Sequence, residues 1–440
     1  MSSPLQNPEF RKLFAAQIFS LLGIGVMTVS LSLSAFEFGG VSMGGPILGG
    51  ILALKMVAYV LIAPLAEPLT SSWPRRRVLV IMDVLRLALV AGMGFAQTPL
   101  QVAVLAFLFF AVSSGFTPLF QAVLTEILPD EASYVRALAW SRVAYTLEAV
   151  LSPVVAALAL NLLVPSDLFF VAGISFCGSV AALLLTHLPA ALRPAKSPFL
   201  LRLTRGARIY ARTPRLRGLW LFQFAVSLLM AWVFVNTVIY AGSRFSAAES
   251  IFTWQMASYG LGAAAMALIV PRMVEMSDER RVMAAGAFCF AGLGLLIAAH
   301  LPLAGLMALW LAFGAAGSLV LTPGGLVIAR SASQENRPAV FAAQFALSHA
   351  GWLLAYPLAG WLGALLSPAT ALLLLCLACA LLTGVALRVW PATDVDAPEH
   401  DHPELPPDHP HIRAHSSEGG GHRHRYYIDD LHPHWPGVAT

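Results

Sequence analysis

Four His-x-His pairs, His400/His402, His409/His411, His422/His424 and His432/His434, fall within the last fifty residues, with His415 between the second and third. Nine of the chain's twelve histidines therefore share one segment. Neutral imidazole ligates nickel, copper and zinc, and its ordinary pKa of about 6.5 leaves it largely deprotonated near neutral pH. Two imidazoles one residue apart can reach a single ion from a pliant backbone, so all nine are candidate metal ligands. The segment 391–440 also holds nine Asp/Glu against three Arg, which attracts cations. It is rich in Pro and Gly and has no apolar periodicity from which to build a core. The sequence therefore predicts a segment disordered without metal.

A second set of chemistry-bearing residues lies in apolar surroundings: Glu37, Lys55, Glu67, Asp83, Arg86, Glu126, Arg142, Glu148, His300 and His349. A charge at the centre of a bilayer costs about 2.5–3.5 kcal/mol on insertion scales, so each needs a reason. Asp83 and Arg86 are three residues apart, share a helix face, and read as an ion pair with a gating role. Glu148 and His349 sit well inside their apolar runs and are candidates for a transport path. Facing each other, a carboxylate and an imidazole could hold a divalent ion or exchange protons for it. Lys55 would repel such an ion unless Glu37 or Glu148 compensates it or burial removes its charge. Asn236 is a further polar candidate. Cys376 and Cys379 form a Cys-x-x-Cys inside LLLLCLACALL, where thiols read as packing groups on a lipid-facing helix.

The elements that carry these groups follow from composition. Over 440 residues, 58% are hydrophobic and 11% charged, with a mean hydropathy of +0.74. A soluble domain cannot hide that much apolar surface, but a bilayer can act as its solvent. Runs of about 20 apolar residues span it. The sequence gives twelve, near 13–36, 45–67, 78–97, 101–127, 136–161, 167–188, 218–241, 251–271, 282–300, 303–329, 339–366 and 369–389. With the N-terminus inside, the inner loops hold Arg11, Lys12, Arg75, Arg76, Arg77, Arg136, a run from Arg193 to Arg217, Arg272, Arg280, Arg281, Arg330, Arg337 and Arg388. The outer loops hold only Arg244. The positive-inside rule then places both termini in the cytoplasm. The net charge of +4 reflects this topology, and its scattered cations do not point to nucleic acid. Residues 1–11 lack the pattern of a removed signal peptide. No phosphate loop or enzyme motif stands out, so the chain reads as a non-enzyme without a cofactor.

The chain divides into an N-terminal six-helix half (1–189), a basic linker (190–217), a C-terminal half (218–390) and the tail (391–440). The linker carries eight Lys/Arg and no acid. The halves echo one another. Thr117-Pro118 matches Thr322-Pro323, and Arg76-Arg77-Val78-Leu79 matches Arg280-Arg281-Val282-Met283. Two similar six-span halves with a path between them make one transporter architecture, an all-α membrane fold.

On these residues the chain resembles the major facilitator superfamily over about residues 8–390. Asn7-Pro8-Glu9-Phe10-Arg11-Lys12-Leu13-Phe14 and Arg75-Arg76-Arg77-Val78-Leu79-Val80 are similar to the branch containing enterobactin-type exporters. Members carry Gly-x-x-x-Asp-Arg-x-x-Arg-Arg between the second and third spans, where this chain reads Glu67, Ser71, Ser72, Arg75 and Arg76. The arginines remain, and the acid that helps lock the halves is replaced by Glu67 or Asp83, or is missing. In the fifth span the antiporter pattern Gly-x-x-x-Gly-Pro-x-x-Gly-Gly reads Glu148, Ser152, Pro153, Ala156 and Ala157, a partial match.

With its histidine-rich tail, the chain resembles the bacterial nickel-resistance exporters of the Nre type. That resemblance implies nickel export, with cobalt as a minor cargo, from a multi-pass chain of the inner membrane, expected as a monomer although the sequence does not give the oligomeric state. With no nucleotide-binding motif, transport draws on an ion gradient, protons being the expected coupling ion, or runs downhill. The tail would capture or buffer metal at the cytosolic mouth. Composition alone gives only a late divalent metal. Two rivals remain: an exporter of a small organic molecule or metal chelate, and a membrane-anchored metal buffer that does not transport.

Overall fold

In a bilayer every backbone amide and carbonyl must be satisfied within the protein, so apolar runs of spanning length become helices. The computed structural model describes residues 4–62, 73–128, 131–188, 199–299, 301–333 and 336–392, and in the tail 394, 397–400, 406, 411, 422–429 and 431–435. The N-terminal half contains α1 (Pro8–Leu61), α2 (Arg75–Gly94), α3 (Pro99–Ser114), α4 (Phe116–Ile127), α5 (Glu131–Ala159) and α6 (Leu168–Leu184). The linker forms α7 (Phe199–Arg212). The C-terminal half contains α8 (Pro214–Arg244), α9 (Ala248–Met276), α10 (Glu279–Gly294), α11 (Leu303–Leu321), α12 (Gly324–Ser331), α13 (Arg337–Leu365) and α14 (Pro368–Val389).

Helix starts follow local chemistry. Asn7 accepts from the Glu9 and Phe10 amides with Pro8 in the first turn, and Thr98 forms a reciprocal capping box with Gln101. The 54-residue α1 breaks at Gly40 (φ 55°), a backbone conformation that L side chains rarely adopt. It therefore holds the first and second spans. The third span is α2, α3 continues into α4 at Gly115, and α11 continues into α12 at Pro323. Among the described residues the helices make twelve membrane passes, six on each side of α7. Among the described residues, eight helical segments qualify as spans by length and composition alone. α2 falls outside that set; it begins with three arginines and carries Asp83 and Arg86.

The halves meet most extensively along two seams. The second span, in α1, packs on the eleventh, α13, and the fifth, α5, packs on the eighth, α9. Exchanging the halves maps one seam onto the other, as the internal repeat requires. The first seam is tight. A β-carbon at Gly360 would lie 2.5 Å from the Gly45 carbonyl oxygen, and one at Gly49 would lie 2.7 Å from that of Tyr356. Small residues let membrane helices approach this closely.

Cys376 and Cys379 depart from the lipid-facing expectation. Both are buried, Cys376 against Gly294 of α10 and Cys379 with its thiol directed to the Ala287 carbonyl. α14 turns this face toward α10, leaving Leu374, Leu377 and Leu381 exposed.

Candidate functional site

The tail brings one histidine from each of the four pairs to a single point. Ring nitrogens of His400, His411, His424 and His432 all lie within 4.8 Å of one another. Neighbouring rings stand edge to face, with centroids 4.7 Å apart for His411/His424 and 5.0 Å for His424/His432. Hydrogen bonds fix which nitrogen can ligate. His400 Nδ1 lies 3.0 Å from the Pro398 carbonyl and His424 Nδ1 lies 2.9 Å from that of Arg425. His432 Nδ1 lies 2.8 Å from Asp429 Oδ1. Carbonyl and carboxylate oxygens only accept, so each Nδ1 carries the proton and the lone pair falls on Nε2. Metal-ligating histidines are oriented by outer partners of this kind. Burial pushes the Asp429 carboxyl up, but the His432 ring and the Leu431 and His432 amides outweigh it and hold it below its ordinary range.

The sequence predicts a tail without fixed structure, and its described residues are instead packed. Glu399–His400 pairs antiparallel with His422–Arg423. Tyr426, Ile428 and Trp435 are buried, and the Tyr426 ring lies 4.7 Å from His400 and 4.6 Å from His432. The tail docks where α8 begins and α14 ends. Arg215 pairs with Asp394 at 3.1 Å, with the two side chains 2% and 6% exposed, and its guanidinium lies 4.9 Å from the Trp435 ring. Arg212 donates to the Pro433 carbonyl and Trp390 to Asp394. None of this docking was expected from the sequence; aromatic residues in a polar segment, Tyr426 and Trp435 among them, were a signal for it. Of the other tail candidates, His434 is exposed, and its carbonyl accepts from the Tyr426 hydroxyl. His422 contributes backbone to the short strand pair. His402, His409 and His415 lie outside the described residues.

Within the membrane, two cavities of 230 and 240 Å³ meet at Thr28, Lys55 and Glu148, which line both. The first extends toward Gln17 and Ser20, near the start of α1, and is walled by Arg86 and Tyr145. The second extends toward Val29 and Ser32 and reaches across the halves to Phe234, Phe252 and Tyr356. Glu148 and Ser152 lie over Gly25, where a β-carbon would collide with both side chains. Lys55 Nζ lies 5.4 Å from the Phe110 ring centroid and 6.0 Å from that of Tyr59. Of the two carboxylates proposed to balance Lys55, Glu148 lines its cavities. Glu37 is exposed beside the Gly40 break.

His349 and Glu148 do not form the facing pair that the sequence suggested. His349 stacks on Tyr59 at 5.4 Å, and its Nδ1 donates to the Phe345 carbonyl at 2.7 Å. It lines neither cavity. Asn236 is fully buried at the seam near Gly45 and Gly363, donating to the Ala359 carbonyl. It lines neither cavity, and its Oδ1 finds no hydrogen-bond partner among the described residues.

The gating candidates divide. Asp83 and Arg86 are both fully buried and pair at 2.8 Å. Arg86 also donates to Ser20 Oγ and the Ser113 carbonyl, and Ser179 donates to Asp83. The pair thereby ties together the first, third, fourth and sixth spans. Arg75 is buried in the first turn of α2, and Arg76 donates to the Thr186 carbonyl. Glu67 and His300 lie outside the described residues, as do the side chains of Glu126 and Arg142. In the C-terminal half, Arg330 pairs with Glu279, and Arg280 donates to the Leu387 and Trp390 carbonyls.

The family model described as Major Facilitator Superfamily matches residues 13–243 and 219–419. The chain belongs to the Major Facilitator Superfamily. It is a multi-pass membrane transporter of that superfamily. No curated protein matches it. Among solved structures, the nucleoside transporter NupG is similar over 87% of this chain and 99% of its own, at 12% identity and a TM-score of 0.70. A D-xylose–proton symporter is similar over 87% and 98%, at 14% identity and 0.67. A bacterial homologue of the human lysosomal transporter Spinster, inward-facing and unoccupied, gives 12% identity and 0.67 over 87% and 96%. At these identities the likeness is one of fold.

Proposed function

We propose that this transporter exports a late first-row divalent metal ion, nickel above all with cobalt as a minor cargo, and so confers metal resistance. The observation that carries the reading is the convergence of His400, His411, His424 and His432, one from each pair. Four converging imidazoles, with the Nδ1–H groups of His400, His424 and His432 held by outer acceptors, form a donor set for such an ion. The preference for nickel rests on the resemblance of the tail-bearing chain to nickel-resistance exporters. The loop cations favour both termini in the cytoplasm, and with the chain in a bacterial inner membrane the tail meets metal on the side from which it is exported. Export proceeds by alternating access between the halves, with protons as the exchanged ion. Lys55 and Glu148, lining both cavities, are the groups whose charge state responds to cargo.

The test is a metal-by-metal panel of growth and cell metal content in a sensitive host. The full-length chain is expected to raise nickel tolerance and lower cell nickel, cobalt to a lesser degree. Unchanged nickel content with increased bound metal would make the protein a buffer. Sensitivity only to organic compounds would move the cargo to another class.

A further inference from the structure

The membrane cavities contain a balanced set of charges. Glu148 and Lys55 line both, and Arg86 in the wall of the first is paired with Asp83. These four groups sum to zero when ionised. A bare divalent ion drawn to Glu148 meets Lys55, and on the first side Arg86, at the same walls. Among the described residues, the group of three or more His, Cys, Asp or Glu able to share one ion is in the tail. The cavities offer other chemistry. Ser152, a residue 2% exposed, lines the second cavity, and its Oγ, lying over Gly25, finds no hydrogen-bond partner among the described residues. Tyr259 and Tyr356 line the same space, with Phe234, Phe252 and Met256 supplying apolar wall. Apolar walls with a few convergent polar groups suit an organic ligand, whereas a hydrated ion would lose hydrogen bonds against them. At about 30 Å³ per water, cavities of 230 and 240 Å³ each hold several non-hydrogen atoms' worth of ligand.

We infer that the cavities receive the metal as a near-neutral complex with a small amino-carboxylate chelator. A carboxylate of the complex pairs with Lys55, and its amine N–H groups donate to Glu148. The chelator supplies the ligands that the cavity walls lack. This inference rests on the export reading above and specifies the form of its cargo.

The test uses the full-length protein in energised everted vesicles, with radiolabelled nickel offered as the aqua ion or with excess radiolabelled glycine at equal total nickel. The complex is expected to accumulate about tenfold faster, a difference of ~1.4 kcal/mol in barrier, with both labels entering together. Lys55→Met is expected to abolish this uptake while the tail's nickel content, which also reports folding, stays the same. Equal or faster uptake of the aqua ion, nickel entering without glycine, or normal uptake of the complex by Lys55→Met overturns the inference but leaves metal export standing. If nickel accumulates under neither condition, the export reading falls and takes the inference with it.

Discussion

The rings of Tyr59 and His349 lie 5.4 Å apart and within 8° of parallel, joining the second span to the eleventh across the boundary between the halves. Phe345 extends the stack, 4.0 Å from His349 and 6.4 Å from Tyr59. The halves cannot rock apart along this seam without separating those rings. Aromatic pairs contribute about 0.5–1.5 kcal/mol beyond the area they bury, enough to shift a two-state equilibrium by up to roughly tenfold.

His349→Ala is therefore expected to slow transport by up to about tenfold without altering tail metal content. His349→Phe keeps the stacking and removes the ring nitrogens, and should restore most of the rate. Initial rates in vesicles separate the two. A Phe variant as slow as Ala would assign the role to the imidazole nitrogen.

Asp83→Asn leaves the Arg86 guanidinium buried without its counter-charge. Breaking a buried pair costs about 3–5 kcal/mol, so the variant should unfold at a clearly lower temperature in detergent. Arg86→Lys should not recover the loss. A single ammonium cannot reach Asp83, Ser20 Oγ and the Ser113 carbonyl as the guanidinium fork does. Thermal unfolding of both variants checks this.

Lys55→Met and Glu148→Gln are each expected to reduce transport by an order of magnitude or more, because each leaves the other's charge facing the cavities. The double variant should be less impaired than the product of the singles. Transport rates around the full cycle measure that coupling. Simple multiplication of the defects would mean that the two groups act independently.

In the tail, replacing His400, His411, His424 and His432 together should remove the tightest metal site. Replacing His402, His409, His415 and His434 should leave it in place. Asp429→Asn takes the carboxylate from His432 Nδ1 and is expected to weaken metal binding by about 10–100-fold, the usual effect of losing an orienting partner. Titration of the purified full-length protein with nickel gives all three affinities. Truncation after Trp390 should lower tolerance yet leave measurable transport.

Depth in the membrane was legible in the sequence, and direction within it was not. Apolar runs and the arginines between them give the spans and the order of the halves because the bilayer imposes both. Most of these helices are apolar on every side, so periodicity does not reveal which face meets the cavity. That is why Lys55 and Glu148, read as possible partners, do line common space, while His349 turned to Tyr59 and Asn236 to Ala359. Glu37 lay too close to the Gly40 break to be held inside. The tail's ligand chemistry was plain from its His-x-His pairs. The convergence of one member of each pair was hidden, because it depends on the Pro398 and Arg425 carbonyls and on docking between Arg215, Asp394 and Trp435. Those contacts join residues nearly 180 or more positions apart.

The most direct measurement is the rate at which nickel-preloaded cells lose the metal after transfer to nickel-free medium. Cells making the protein are expected to empty faster than cells without it, with a slower but still enhanced rate for the chain ending at Trp390. Identical loss curves, with extra nickel merely retained on the full-length protein, would contradict metal export.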